Sequence, residues 1–318
     1  MKKLLALLMA LSLLALCACD KTPTEPVTPD EPAPPVSDPV TPDAPVTPDG
    51  PEGPAFTVET MPRIDGSTAT IPLSQGLAQT LLGYTPEQAA EYIHHFTTHA
   101  AYENLIAGEA DIIFVTPPSA DELQLMADSG AEFDVVRVTL DGFVFLVNSQ
   151  NPVESVPLED LRAVYRGEIT NWSELGGPDE PIIAYQRPDN SGSQTLMYKL
   201  VVSADEIADA PTELKPGSMD GLVDEVSDYD AGAGALGYSV FYYASDMYVD
   251  EGSRLLGVDG VLPTPETIRD GSYPLVDGYY AVLRKDAAAD SPARLLLDYL
   301  LSAEGQQVAA AAGYVPLP

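Results

Sequence analysis

Proline decides how much of this 318-residue chain can fold. Residues 20–55 hold 12 of the chain's 30 prolines and almost no large apolar side chains. Pro-Val-Thr-Pro-Asp recurs at 26–30, 39–43 and 45–49. Proline lacks a backbone donor and fixes φ, so this density excludes helices and sheet ladders, and the interspersed acids repel one another. The stretch is expected to be a semi-rigid polyproline spacer, reaching at most about 110 Å at roughly 3.1 Å per residue. Folding is left to the region from Phe56 to Pro318, long enough for one large domain or two lobes.

Ahead of the spacer, Lys2 and Lys3 precede an apolar run from Leu4 to Leu16, which ends in Leu16-Cys17-Ala18-Cys19. A charged start, a short apolar stretch and small residues before a cut mark a secretory signal, expected over residues 1–18. About 13 apolar residues fall short of the roughly 20 that span a bilayer. The closing tetrapeptide resembles the bacterial lipobox, in which the chain is cut just before a cysteine that then carries lipid. Cys19 is the expected lipidated N-terminus, with Ala18 before the cut; bulky Leu16 makes Cys17 the poorer choice. Residues 19–55 are then a lipid-anchored linker holding the domain off the extracytoplasmic face of the cell membrane. No second cysteine would remain for a disulfide, so the core alone must hold the fold. Loss of Lys2 and Lys3 leaves 13 of the 15 basic residues against 49 acidic ones. That balance argues against nucleic acid and against adsorption to anionic lipid.

From Phe56 onward, β-rich runs alternate with helical periodicity. Strands are predicted at 111–115, 135–138 and 143–147, and helices at 86–96, 120–129, 157–165, 193–202 and 291–312. The last places Leu295, Leu296, Tyr299 and Leu300 on one face. Strands separated by helices imply an α/β fold with parallel sheets and ligand loops at the strand C-terminal ends.

Two loops have the composition of an oxyanion cradle. Asp65-Gly66-Ser67-Thr68-Ala69-Thr70-Ile71-Pro72 sets three hydroxyls on small residues at a helix start, where O–H and backbone N–H donors can face one anion. The same residues also serve as ordinary helix caps. In Arg187-Pro188-Asp189-Asn190-Ser191-Gly192-Ser193-Gln194-Thr195, a glycine lets backbone approach a ligand, and the forked cation of Arg187 suits an oxyanion. Asp189 could pair with Arg187 and fix its orientation. A surface capping loop with an exposed arginine is the alternative.

Residues 63–318 resemble the phosphate-binding proteins of bacterial phosphate ABC importers, the PstS-like family of the type II periplasmic-binding-protein fold. The resemblance is carried by Asp65-Gly66-Ser67-Thr68, Gly108-Glu109-Ala110-Asp111-Ile112, Tyr165 through Trp172, Arg187 through Thr195, and Gly234-Ala235-Leu236-Gly237-Tyr238. The run Ile169-Thr170-Asn171-Trp172 is the most family-specific and is expected to do structural work away from the ligand. The resemblance implies two α/β lobes joined by a hinge, with lobe I at 56–141 and 252–318 and lobe II at 142–251. It implies closure on a small oxyanion, most of all inorganic phosphate, and delivery to a membrane permease driven by a separate ATPase. No enzyme activity, catalytic residue or cofactor is implied, and the receptor is expected to be a monomer.

The family's ligand positions fall on Thr70 and Ile71 in the first loop, on Thr98 thirteen residues before Asp111, and on Arg187, Ser191, Gly192 and Ser193. One position departs. The family's carboxylate, five residues after the strand-opening Asp, falls on Thr116. A carboxylate only accepts hydrogen bonds and so favours a protonated oxyanion; a hydroxyl donates or accepts. Thr116 therefore removes the main electrostatic reason to prefer phosphate over sulfate, and sulfate or molybdate stand as alternative ligands. A surface sensor or adhesin that reuses the fold is a further alternative.

His95 and His99 stand four apart, as helical metal ligands do, but Thr97 and Thr98 intervene and no cysteine remains, so no metal site is expected. A serine hydrolase built on Ser191 would need a base, and the three histidines all lie within 94–99. Tyr238, Tyr242, Tyr243 and Tyr248 read as packing.

Overall fold

The computed structural model describes residues 53–318; the signal, Cys19 and the linker up to residue 52 lie outside the described residues. In chain order, β1 (Ile64–Gly66) leads through a 3-10 turn at Thr68–Thr70 into α1 (Ile71–Leu82), followed by α2 (Pro86–Tyr92) and α3 (Thr98–Ala107). Next come β2 (Ile112–Val115), α4 (Ala120–Asp128), β3 (Phe133–Arg137), β4 (Asp141–Asn148), β5 (Ser155–Val156) and α5 (Leu158–Tyr165). After β6 (Ile183–Ala184), α6 (Gly192–Leu200) and α7 (Met219–Ser227) run β7 (Ala235–Val240), β8 (Ser253–Val258) and α8 (Pro265–Arg269). The chain ends with β9 (Val276–Asp277), β10 (Tyr280–Arg284), α9 (Pro292–Leu301) and α10 (Ala303–Ala311).

Local chemistry sets these boundaries. Thr85 with Gln88 and Ser119 with Glu122 form reciprocal capping boxes that start α2 and α4. Gly83 and Gly108 end α1 and α3 in the left-handed conformation that a side chain would disfavour. The helix predicted over 86–96 stops at Tyr92, because Ile93 turns to extended backbone. The one predicted over 291–312 is two helices. Ser302 breaks it with an extended ψ and caps α10 by accepting from the Gly305 N–H.

Two sheets organise the fold. The first has the order β1-β2-β10-β3, and the second the order β5-β8-β4-β7-β6, with β9 also paired to β4. β2 and β4 are buried along their whole length, as central strands covered on both faces must be. The sheets are mixed, where parallel ones were predicted. β1–β2, β5–β8 and β6–β7 are parallel, whereas β10 runs antiparallel to β2 and β4 antiparallel to β7 and β8. The cause is the crossing: strands that pass from one sheet to the other enter it against the local direction.

The crossings lie side by side. Asp141 pairs with Asp277 and Gly142 with Val276, where β4 leaves β3 and β9 leads into β10. A side chain at Gly278 would overlap the Thr139 carbonyl, so only glycine lets these segments touch. The first crossing lies near 140, between β3 and β4. The second does not fall near 252. Ser253–Val258 is hydrogen-bonded to β4 and β5, so the second sheet continues through β8 and the chain crosses back at 277–280. Among the described residues, no helix is long and apolar enough to cross a membrane.

Candidate functional site

Loops from both sheets meet in a cleft of about 340 Å³. The first sheet's side supplies Ser67, Thr68 and Ala69, then Thr97 and Thr98, then Thr116. The other side supplies Arg187, Ser191 and Gly192 and the segment Gly217–Asp220, with Val240 and Tyr243 completing the wall.

The first loop is held from behind. A side chain at Gly66 would strike the Phe114 carbonyl and the Thr70 hydroxyl, so glycine lets the loop lie against β2. Asp65 is buried and spent on scaffold: Oδ1 accepts from the Gly66 and Phe96 N–H groups, and Oδ2 from Asn104. His95 Nδ1 lies 3.0 Å from the Ser67 carbonyl. A carbonyl only accepts, so Nδ1 carries the proton. Burial holds this imidazole below its ordinary pKa, favouring the neutral form. The Ser67 Oγ, by contrast, is buried in the cleft wall with no partner among the described residues. The first N–H groups of the 3-10 turn at Thr68 and Ala69 precede any acceptor inside that turn.

Thr98 opens α3 and Thr116 follows β2. The Thr116 Oγ1 is also buried without a partner among the described residues, while the Thr116 carbonyl accepts from the Tyr102 hydroxyl at 3.3 Å. Opposite them, Ser191 caps α6, its Oγ accepting from the Gln194 N–H at 3.3 Å. Gly192 sits so near the facing wall that a Cβ there would lie 2.8 Å from the Thr98 Oγ1 and closer still to the Thr116 Oγ1. Hydroxyls of one half thus meet backbone of the other.

Arg187 supplies the charge. It is only 7 % exposed, and its guanidinium donates from Nε to the Pro216 carbonyl at 3.0 Å and from Nη2 to the Gly217 carbonyl at 3.1 Å. Its own backbone N–H donates to Gln194 Oε1 and to the Tyr238 hydroxyl. Among the described residues no carboxylate lies within ion-pair distance of it. Burial lowers its pKa from the ordinary value, although a guanidinium stays protonated at any working pH. Among the described residues, this buried cation is hydrogen-bonded only to neutral carbonyls, an arrangement that favours an anion beside it.

Thr98, Thr116, Arg187, Ser191 and Gly192 come together in the cleft, and Ser193 lies fully buried behind them with its Oγ unpartnered. Thr70 and Ile71 do not reach it. The Thr70 Oγ1 is turned inward, 2.7 Å from the Phe114 carbonyl and 2.9 Å from that of Ser67, and the Ile71 N–H is spent on the Thr68 carbonyl. Ser67, Thr68 and Ala69 take their place on the wall. Asp189 does not pair with Arg187; it accepts from the Tyr198 hydroxyl at 2.6 Å. The Gly217–Asp220 segment was missed, its only sequence signal being the Pro-Gly punctuation at 216–217. Tyr243, read as packing, lines the cleft and also stacks on Tyr248 at 6.0 Å. His95 and His99 sit on different elements, and His99 Nδ1 lies 3.0 Å from the buried Glu122 carboxylate.

Two α/β halves joined by adjacent strand crossings, with a polar cleft between them, define a two-lobed solute-binding fold of the periplasmic-binding type. The chain belongs to the PBP superfamily, whose domain model matches residues 52–304. It is 29 % identical over 182 residues to the phosphate-binding protein PstS of Bacillus subtilis, a match covering 57 % of each chain, so it spans little more than half of that relative. It is 26 % identical over 226 residues to PstS of Staphylococcus haemolyticus, covering 70 % of each. Among solved structures, it resembles a Clostridium perfringens protein described as a phosphate ABC transporter substrate-binding protein with bound phosphate. The TM-score is 0.63 at 26 % identity, covering 83 % of this chain and all of the other. A phosphate transport receptor of Vibrio cholerae shares the fold with a TM-score of 0.59.

Proposed function

We propose that this chain is an extracytoplasmic solute-binding lipoprotein of an ABC importer, anchored through Cys19, which captures a small oxyanion and delivers it to a permease. Inorganic phosphate is the leading ligand, as the names of the relatives suggest. One observation carries the reading. Among the described residues, the buried Arg187 guanidinium has only backbone carbonyls for hydrogen-bond partners, and the cleft beside it holds the unpartnered hydroxyls of Ser67 and Thr116. Donors from both halves would surround one tetrahedral anion, and closure about the crossings at 140 and 277–280 would exclude water. In this reading lobe I comprises 56–141 and the chain after Gly278, and lobe II the residues between. The Ser191 hydroxyl acts as a helix cap and anion donor, not as a nucleophile.

Calorimetric titration of the full chain with inorganic phosphate tests this, wild type beside Arg187→Ala. Saturable one-to-one binding is expected, weakened by about 2 kcal/mol or more in the variant. Equal affinity of the two proteins would remove Arg187 from the site and the reading with it.

A further inference from the structure

Thr116 leaves the first wall of the cleft without an acid. Of the described residues that line the cleft, one alone is a carboxylate: Asp220, in the first turn of α7 on the Arg187 side. Asp220 and Arg187 feel each other's charge, and Tyr243 feels both, yet no ion pair joins them. Each is held by other groups. Arg187 is tied to the carbonyls of Pro216 and Gly217, while the Ser218 hydroxyl and backbone N–H groups at the start of α7 keep the Asp220 carboxyl below its ordinary pKa. The cleft therefore presents a buried cation and, at its exposed edge, a carboxylate, with no ion pair between the two.

Such a pair suits a ligand that offers two things at once: negative oxygens for the guanidinium and a proton for the carboxylate. Hydrogen phosphate and monoprotonated phosphonates meet both demands. Sulfate has no proton at neutral pH and would set its charge against an acceptor-only group. We propose that Asp220 is the specificity-determining residue of the cleft, selecting a protonated oxyanion from the wall opposite Thr116. The proposal deepens the oxyanion reading above and rests on it.

The experiment measures dissociation constants for inorganic phosphate and for sulfate at neutral pH, using the full chain as wild type, Asp220→Asn and Asp220→Glu. Wild type is expected to prefer phosphate, and the phosphate-to-sulfate ratio is expected to fall at least about tenfold in Asp220→Asn, with sulfate binding gained as phosphate binding is lost. Asp220→Glu should keep most of the preference, which a merely structural role at the helix start would not require. A ratio unchanged in Asp220→Asn overturns the role of Asp220 while leaving oxyanion capture intact. A wild-type chain that binds neither anion overturns the underlying reading and this proposal together.

Discussion

Asn190 donates its side-chain amide to Asp121 at 3.0 Å, joining the Arg187 loop to the first turn of α4 across the cleft. Ser119 adds a second contact, its hydroxyl reaching the Asn190 Oδ1 at 3.4 Å. Asn190 holds φ at 65°, a left-handed conformation that asparagine tolerates and most residues do not. These bonds link one half of the protein to the other beside Ser191 and Gly192, where they would latch a closed cleft. Asn190→Gly keeps the backbone conformation and removes only the latch. Phosphate affinity is expected to fall by about 1 kcal/mol, mostly through faster release. Stopped-flow release rates check it, and an unchanged rate would show that the contact plays no part in holding the cleft shut.

Gly192 faces Thr98 and Thr116 with no room for a methyl group. Its own backbone is ordinary helix start, which alanine accepts. Gly192→Ala should therefore leave the ligand-free protein about as stable as wild type while propping the two walls apart. Phosphate binding is expected to weaken at least about tenfold, since both halves must approach to share one anion. Thermal melts with and without phosphate separate the two effects. A variant that keeps the full phosphate-induced rise in Tm would show that the walls need not close this far.

How much of the site is legible in the sequence follows from how local each signal is. Thr98 and Thr116 are reached only through the family resemblance, whose pattern is counted from Asp111, whereas Arg187, Ser191 and Gly192 sit on one short loop before a helix whose composition already points to an anion. In the first loop the cleft is lined by Ser67, Thr68 and Ala69, not by Thr70 and Ile71 as the resemblance implies. Composition shows a row of hydroxyls, but it cannot show that Thr70 turns inward to the Phe114 carbonyl, a contact made across 44 residues. Asp220 was invisible for the same reason: its place beside Arg187 depends on a segment some thirty residues away folding back to hold the guanidinium. The second crossing lies beyond 252 because Ser253–Val258 joins the second sheet, and only its pairing with β4, made across about a hundred residues of chain, shows that.

Trp172 is the chain's single tryptophan and is completely buried. Its indole N–H donates to the Gly234 carbonyl at 2.9 Å, tying the turn after α5 to the entry of β7. It does not line the cleft. Trp172→Phe loses that bond and part of the packed volume, a destabilisation of about 1–3 kcal/mol. Phosphate affinity should stay within about twofold of wild type. Urea unfolding paired with calorimetry reads both quantities, and a large loss of affinity in a folded variant would contradict the purely structural assignment.

Asp141 stands where the chain crosses between sheets, and burial pushes its carboxyl pKa up to about 7. Its Oδ1 accepts from the Gly142 and Tyr242 N–H groups and the carboxyl also feels the Tyr279 hydroxyl, contacts that offset the cost of burial only in part. The folded pKa is raised above the unfolded value, so the unfolded state releases its proton first as pH rises. Below about pH 4 the group is protonated in both states and costs nothing; the penalty then grows until about pH 7 and is constant above it. At a shift of this size its ceiling is about 4 kcal/mol. Asp141→Asn should therefore be more stable than wild type at pH 8, by an amount that shrinks toward zero as pH falls to 4. Denaturant unfolding of both proteins at half-unit steps gives the difference directly and cancels the contributions of other titrating groups, His95 among them. A stability difference that does not change between pH 4 and pH 8 would mean that Asp141 titrates alike in the folded and unfolded chain, and the charged crossing would then cost the fold nothing.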